Sequence, residues 1–118
     1  MQIRERIYET TVVLYPCGII NAVESILLTR KVENYKGTGY NRILIDLNKV
    51  EFVDSTTIGG FIYLTKTMKK SGIDVVLCAP RKQIQELFRN FCLEDVLKIE
   101  HRVVLNLQPS LPEDHQVD

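Results

Sequence analysis

The chain has 118 residues, and its 15 lysine and arginine residues are balanced by 15 aspartate and glutamate residues. A chain of this length forms one domain around one core, and we assign that domain to residues 1–107. The balanced charge argues against direct binding to nucleic acid, for which an excess of basic residues is expected. No apolar run approaches the ~20 residues that span a bilayer, and the charged start of the chain is unlike a signal peptide. We therefore expect a cytoplasmic protein that does not insert into a membrane.

The three cysteines, Cys17, Cys78 and Cys92, are far apart in the sequence and form no C-x-x-C pair. A disulfide framework and a zinc site are therefore not expected. Cys78 ends an apolar stretch, so we interpret it as a buried core residue. The two histidines, His101 and His115, have no partner at the spacing of metal ligands. We expect neither a metal nor a cofactor.

The first elements are predicted to be a hairpin followed by a helix. Residues 2–9 alternate between apolar and charged side chains and predict an edge strand, and residues 11–15 predict a second strand. Pro16 breaks this run. Asn21 is a suitable N-cap for a helix over residues 22–35. The residues that share the predicted face of this helix are Val23, Ile26, Leu27, Arg30 and Asn34.

The middle of the chain is predicted to contain the central strand and a long helix. Glycines in residues 36–39 end the first helix. Residues 42–47 are short and rich in branched apolar side chains, which is typical of a buried strand. Residues 48–53 are predicted as a loop that crosses the sheet edge, with Phe52 turned inward. A helix follows over residues 55–70, and its predicted face consists of Ile58, Phe61, Ile62, Thr65 and Met68.

The last third of the chain continues the alternation of strands and helices. Residues 73–78 predict a buried strand, residues 81–91 a helix, residues 97–99 a short strand and residues 103–107 a further edge segment. The core stripe of the last helix is predicted to be Ile84, Leu87, Phe88 and Phe91. Residues 108–118 hold two prolines and few apolar residues, so we predict a mobile tail there.

The predicted order of elements is β-β-α-β-α-β-α-β. Helices between strands imply parallel crossovers, so the fold class is α/β, with a mixed β-sheet and helices packed on it. One junction in this order carries several polar side chains: Asp54-Ser55-Thr56-Thr57 lies where a loop becomes a helix N-terminus. Backbone N–H groups are unpaired at such an end and the helix dipole is positive, which suits an anion.

Two interpretations of this junction remain open. Ser, Thr and Asp are favoured at helix N-termini, so the stretch could serve only to cap the helix. Three hydroxyl residues in a row exceed what one cap needs, however, and Gly59 and Gly60 follow in the second turn. Each glycine costs about 1 kcal/mol relative to alanine inside a helix. We therefore expect the glycines to allow a close approach, either by the protein's own sheet or by a partner.

The sequence Asp54-Ser55-Thr56-Thr57-Ile58-Gly59, between an apolar strand and an amphipathic helix, resembles the Asp-Ser-Ser/Ala-Gly-Leu-Gly signature of STAS domains. These domains include the bacterial anti-sigma factor antagonists and a domain of sulfate transporters. The resemblance extends from residue 11 to residue 99 and implies the STAS fold. Thr57 stands where the family often has glycine. Gly18-Ile19-Ile20-Asn21 resembles a Gly-x-Leu-Asp turn that lies near the signature in the family, with Asn21 in place of Asp.

The resemblance implies a binding protein that is controlled by phosphorylation. In the antagonists, a partner kinase phosphorylates the serine after the aspartate, and Ser55 is the matching position. Thr56 and Thr57 are weaker candidate acceptors. The implied partners are an anti-sigma factor that is also a serine kinase of GHKL type, and a serine phosphatase that acts on the phosphorylated form. The implied partner-binding surface consists of Asn21, Asp54, Ser55, Thr56, Thr57, Ile58 and Gly59.

In this hypothesis the unphosphorylated chain binds the anti-sigma factor, and phosphorylation releases it, so that sigma-factor-dependent transcription is regulated. A second hypothesis is a STAS binding module without phosphorylation. Such a module would belong to a larger signalling assembly or would be an accessory subunit of a membrane lipid transporter. Both hypotheses describe a protein that acts by binding.

Enzymatic functions are disfavoured because the required residues are missing. A phosphoacceptor receiver domain needs an acidic pair after its first strand to hold Mg²⁺, and Tyr15-Pro16-Cys17 stands there instead. A serine hydrolase needs G-x-S-x-G and a histidine base, and a P-loop needs G-x-x-x-x-G-K-[ST]. Neither pattern is present in the sequence. We therefore predict no catalytic residues and no enzymatic activity.

Overall fold

The computed structural model describes residues 3–105, and seven strands, three α-helices and one short 3-10 helix (Leu93–Asp95) lie within this range. In chain order they are β1 (Arg4–Tyr8), β2 (Thr11–Tyr15), β3 (Gly18–Ile20), α1 (Ala22–Glu33), β4 (Arg42–Asp46), β5 (Val50–Val53), α2 (Ser55–Lys70), β6 (Asp74–Cys78), α3 (Lys82–Asn90) and β7 (Ile99–Glu100). The predicted α/β class is confirmed. Two short strands, β3 and β5, are added to the predicted order. The predicted tail over residues 108–118 lies outside the described residues.

Five strands form the main sheet in the order β1-β2-β4-β6-β7. β1 pairs antiparallel with β2, while β2, β4, β6 and β7 run parallel to one another. The three central strands are almost continuous runs of valine, isoleucine and leucine, because both of their faces are covered. The predicted hairpin and the predicted mixed sheet are therefore both confirmed.

A second sheet is formed by β3 and β5, in stretches that were predicted as a chain break and a loop. The two strands run parallel, with Gly18 opposite Val50 and Ile20 opposite Val53. Strands of three and four residues are too short to produce a periodic pattern, which is why the sequence did not reveal them. The prediction that Phe52 turns inward is also wrong. Its side chain is 52% exposed, because Val50 and Val53 fill the buried positions of β5.

Helix α1 turns a different face to the core from the predicted one. The buried residues of α1 are Ser25, Leu28 and Val32. The apolar residues of the predicted face, Val23, Ile26 and Leu27, are 63%, 50% and 45% exposed. A helix-spaced apolar pattern usually indicates burial, and here it marks an apolar surface that the described part of the chain does not cover.

Helices α2 and α3 follow their predicted faces more closely. The buried residues of α2 are Thr57, Phe61, Leu64 and Met68, so the predicted stripe is right at Phe61 and Met68. Ile58, Ile62 and Thr65 lie at the border of the core. In α3, Ile84 and Phe88 are buried as predicted, and Leu87 is partly buried. Phe91 lies just beyond the last residue of the helix and is 62% exposed, so the prediction that it packs in the core is wrong.

The main sheet has two faces, and the one opposite the large core is called the second face below. It is covered by residues 103–105 rather than by a helix. Here Val13, Leu44, Val76 and Cys78 form a small buried cluster, against which Val103 and Leu105 pack. The prediction that Cys78 is buried is confirmed. Residues 103–105 cover this face without strand structure, so the predicted edge strand is not found in them, and residues 106–107 lie outside the described residues.

The close approach expected at the glycines occurs at Gly60 and involves helix α1. A Cβ atom at Gly60 would lie 3.0 Å from Ser25 Oγ and 3.3 Å from Thr29 Oγ1. A Cβ atom at Gly59 would meet nothing within 4 Å. Gly60 therefore allows α1 and α2 to pack closely, whereas Gly59 faces outward.

The two neighbouring glycines provide a matched test of this packing. Gly60→Leu should lower the free energy of unfolding by about 1–3 kcal/mol, because the new side chain must push α1 away from α2. Gly59→Leu should leave it unchanged or raise it by up to about 1 kcal/mol, since the position is open and leucine is the better helix former. Urea denaturation of both variants measures the difference, and a Gly60→Leu variant as stable as the wild type would contradict the close approach.

Candidate partner-binding site at two helix N-termini

Helices α1 and α2 begin side by side because the strands that precede them are paired. Ile20 and Val53 are the last partners in the register of β3 and β5. The next residues along the chain, Asn21 and Asp54, are the N-caps of α1 and α2. The backbone N–H of Asp54 donates to the carbonyl of Ile20 across this junction, at 3.3 Å. The short sheet therefore places two positive helix ends next to each other.

Asn21 caps α1 with a complete capping box. Its Oδ1 atom accepts from the N–H of Val23 at 3.0 Å and from the N–H of Glu24 at 3.3 Å. The Glu24 side chain accepts in turn from the N–H of Asn21 at 3.3 Å. The predicted capping role of Asn21 is confirmed, and these bonds fix the end of β3 relative to α1.

Asp54 caps α2, and Thr57 connects this cap to β3. The Asp54 Oδ1 atom accepts from the Thr57 backbone N–H and lies 2.8 Å from the Thr57 hydroxyl. That hydroxyl also lies 2.9 Å from the carbonyl oxygen of Ile20. Its single proton is thus shared between two acceptors on two different elements. The bonds from the Thr57 N–H and hydroxyl lower the pKa of Asp54 below its ordinary value of 3.8, so its carboxylate is charged at neutral pH.

The structure corrects the expectation for Thr57. It is 1% exposed and its hydroxyl is used internally, so it is neither an accessible phosphate acceptor nor a contact for a partner. Its position explains why a hydroxyl residue can stand where the family often has glycine. The side chain points into the protein and leaves the outer surface of the helix end unchanged.

Ser55, Thr56 and Gly59 form the exposed part of the helix end. Ser55 is the first residue of α2, directly after the Asp54 cap, so its side chain is not needed for capping. Within residues 3–105 the Ser55 hydroxyl has no hydrogen-bond partner. Asp54 is therefore the residue that caps α2. The hydroxyls of Ser55 and Thr56 remain available to other molecules.

An apolar groove of about 480 Å³ adjoins Ser55. It is lined by Phe52, Val53, Asp54, Ser55, Ile58, Leu87, Phe91 and Leu93. Phe52 and Phe91 expose more than half of their surface at this groove, which is uncommon for such large apolar side chains on a surface without a partner. Neither phenylalanine was predicted to belong to the site, because an apolar residue in a strand or helix pattern is ordinarily interpreted as core.

Within the described residues, no group of three or more His, Cys, Asp or Glu side chains could hold a metal ion. Cys17 and Cys92 are exposed free thiols, and Cys78 is a buried one. In the same range no helix is both long enough and apolar enough to cross a bilayer.

Residues 2–107 match the STAS domain family, and the chain therefore belongs to it. Its sequence is 27% identical over 95 residues to a Thermotoga neapolitana protein named as a candidate anti-sigma factor antagonist and TM1081 homolog, covering 80% of this chain and 84% of the relative. The fold is similar to the crystal structure of TM1081 from Thermotoga maritima, with a TM-score of 0.74, 25% identity, and coverage of 83% and 85%. It is also similar to the unphosphorylated form of the anti-sigma factor antagonist SpoIIAA, with a TM-score of 0.68, 13% identity, and coverage of 87% and 90%. The last likeness shows the fold alone.

The connection made by Thr57 can be tested with two substitutions of the same kind. Thr57→Val removes the hydroxyl shared by Ile20 and Asp54 and should lower the free energy of unfolding by about 1–2 kcal/mol. Thr56→Val makes the same change at an exposed neighbour and should stay within about 0.5 kcal/mol of the wild type. Equal effects in chemical denaturation would show that the buried hydroxyl does not stabilise the junction.

The charge of the Asp54 cap can be tested by its dependence on pH. Asp54→Asn keeps an oxygen that caps the helix but removes the charge. Because the folded-state pKa of Asp54 is lowered, the charge contributes stability above the unfolded-state pKa, and this contribution is lost as the pH falls through the folded-state pKa. We expect the wild type to be more stable than the variant at neutral pH.

The difference in free energy of unfolding between the wild type and Asp54→Asn should be constant at neutral pH. It should decrease once the pH falls below 3.8, the ordinary pKa of Asp54. Urea denaturation of both proteins over a series of pH values measures it. Taking the difference cancels the titration of the other carboxylates that the two proteins share. A difference that grows on acidification would have the wrong sign and would contradict the assigned role of the charge.

Proposed function

We propose that this chain is an anti-sigma factor antagonist that binds an anti-sigma factor while unphosphorylated and is released by phosphorylation at Ser55. The observation that carries the proposal is the position of Ser55, which is exposed at the start of α2 and lies on the rim of an apolar groove. The names of the Thermotoga relatives support the same function. The proposal places the protein in the cytoplasm, where it regulates sigma-factor-dependent transcription.

The proposed partner is an anti-sigma factor that is also a serine kinase of GHKL type. It would contact the exposed and partly exposed residues around the two helix ends, namely Asn21, Asp54, Ser55, Thr56, Ile58 and Gly59. Phe52 and Phe91 extend this surface, because they line the groove that Ser55 adjoins. A serine phosphatase would restore the unphosphorylated form. The chain itself supplies the phosphate acceptor and the docking surface, with no catalytic step of its own.

The folded domain can accept a phosphate on Ser55. Phosphorylation adds about 1.5–2 negative charges at pH 7. The phosphate would lie at the positive end of α2, where backbone N–H groups and the helix dipole favour an anion. The hydroxyl that becomes esterified makes no internal hydrogen bond in the described structure, so no stabilising contact is lost. The Asp54 carboxylate opposes the new charge, but it lies on a partly exposed residue where water screens the repulsion.

A phosphate on Ser55 should weaken partner binding more than it destabilises the folded domain. The groove beside Ser55 is lined mainly by apolar side chains, so a partner that fills it removes water from the rim. A phosphate at that rim would be desolvated next to the charged Asp54. The complex would dissociate through this local change in charge, and the domain would not need to refold.

A second candidate function is a STAS binding module that is not phosphorylated and belongs to a signalling assembly or a membrane lipid transporter. The exposed apolar face of α1 favours it, because Val23, Ile26 and Leu27 form a surface for a partner and none of them lines the Phe52 groove. Such a module would bind its partner through α1 whatever the state of Ser55.

Substitutions at Ser55 separate folding from partner binding. Ser55→Asp should change the free energy of unfolding by less than about 0.5 kcal/mol, because the helix dipole and Asp54 act on the new charge in opposite directions. It should weaken binding to the cognate anti-sigma factor by about tenfold or more, because the charge must be desolvated. Ser55→Ala should fold and bind like the wild type, since Asp54 is the cap. Chemical denaturation and calorimetric titration measure the two properties.

Asn34→Asp is the matched control, because it adds one negative charge at an exposed position at the other end of α1. It should leave partner affinity unchanged. Mass spectrometry after incubation with the cognate kinase and ATP should find phosphate on Ser55 in the wild type and none in Ser55→Ala. Absence of phosphate from both Ser55 and Thr56 would refute phosphorylation control and favour the second candidate function.

A further inference from the structure

A cavity of about 340 Å³ lies on the second face of the main sheet, at the carboxyl ends of β2 and β4. Its lining consists of Arg4, Arg6, Tyr15, Pro16, Cys17, Asp46, Asn48 and Lys49. None of these residues lines the groove beside Ser55. The cavity is therefore a separate feature that the proposed function does not use.

The register of the sheet explains why these side chains converge. Arg4 lies directly opposite Tyr15 in the antiparallel pair of β1 and β2, and Arg6 lies opposite Val13. Opposite residues share a face of the sheet, and Val13 belongs to the buried cluster of the second face. Both arginines therefore stand on that face, beside the Tyr15 ring. The loops that follow β2 and β4 close the cavity from the end of the strands.

The lining is cationic. It contains three basic side chains, Arg4, Arg6 and Lys49, and one acidic side chain, Asp46, which leaves a net charge of two positive. One oxygen of Asp46 already accepts from the backbone N–H of Asn48 at 2.9 Å. Arg6 is hydrogen-bonded to the neutral Tyr8 side chain. No ion pair joins any of the three basic groups to a carboxylate among the residues that the structure describes. An anion would find cations there that are not neutralised.

We propose that this cavity binds a small organic phosphate. A phosphate monoester carries close to two negative charges at neutral pH, which matches the net charge of the lining. Arginine guanidinium groups bind phosphate oxygens through pairs of parallel N–H bonds, and lysine adds a further charge-assisted bond. Tyr15, Pro16 and Cys17 supply a less polar wall for the carbon skeleton of the ligand. The cavity lies at the lower end of the volume range of small-molecule sites, which favours a ligand of few heavy atoms.

The site is joined to the two-stranded sheet. Cys17 immediately precedes β3, and Lys49 immediately precedes β5. The backbone N–H of Gly18 donates to the carbonyl of Lys49 at 2.8 Å, so the two loops meet at the edge of the cavity. A bound phosphate would therefore contact both chain segments that lead into β3 and β5.

The test is an NMR titration of the ¹⁵N-labelled full chain with glycerol 3-phosphate, and glycerol is the uncharged control ligand. We expect saturable shift changes centred on Tyr15, Cys17, Asn48 and Lys49, and none with glycerol. Arg4→Gln and Lys49→Gln should each weaken binding about tenfold, since each removes a charged hydrogen-bond donor. Both side chains are exposed, so neither substitution should affect folding. Lys70→Gln removes the same charge from the far end of α2 and should bind like the wild type.

Three results would overturn the proposal. The first is the absence of saturable binding by the folded wild type. The second is an equal loss of affinity in Lys70→Gln and in the cavity variants, which would show attraction to net charge alone. The third is equally tight binding of succinate, which would show a site for dianions in general and not for phosphate.

Discussion

The pairing of β3 with β5 is the constraint on which the candidate site depends. It is a small interaction, with three residues of one strand alongside four of the other. Its hydrogen bonds are each worth about 1 kcal/mol net. It nevertheless determines where α1 and α2 begin, because each helix starts directly after its strand. Thr57 secures the arrangement from within the helix, since its hydroxyl reaches both the Ile20 carbonyl and the Asp54 carboxylate.

Bringing two helix N-termini together has an electrostatic cost, because each carries roughly half a positive charge. The sequence offsets this cost with acidic groups at both ends. Glu24 completes the cap of α1, and Asp54 caps α2 as a carboxylate whose pKa is lowered chiefly by the bonds from the Thr57 N–H and hydroxyl. The small residues Ser25 and Gly60 allow the two helices to stay in close contact beyond their first turns. The outward side of the junction is then free to carry Ser55 and Thr56.

The features that were predicted correctly from the sequence are those with long or repeated patterns. The strands at residues 42–46 and 74–78 and the helix at residues 55–70 each carry enough apolar residues to define their type. The second sheet was not predictable in this way, because three or four residues have no period. The exposed side chains of Phe52, Val23 and Leu27 were misjudged for a related reason. An apolar residue in a regular pattern looks the same whether the protein's own core or a partner covers it.

The departure of this chain from the STAS pattern at Thr57 has a consequence for how the site works. Glycine at that position would leave the Ile20 carbonyl with only the longer bond from Asp54, at 3.3 Å. Threonine adds a second donor to that carbonyl and a second bond to the cap, and its side chain is buried. The junction becomes more rigid while its outer surface stays as glycine would leave it. A partner would therefore meet a preorganised surface, which lowers the entropy lost on binding. Under the proposed function, control of binding would rest on the charge of a phosphate on Ser55 rather than on movement of the helix end.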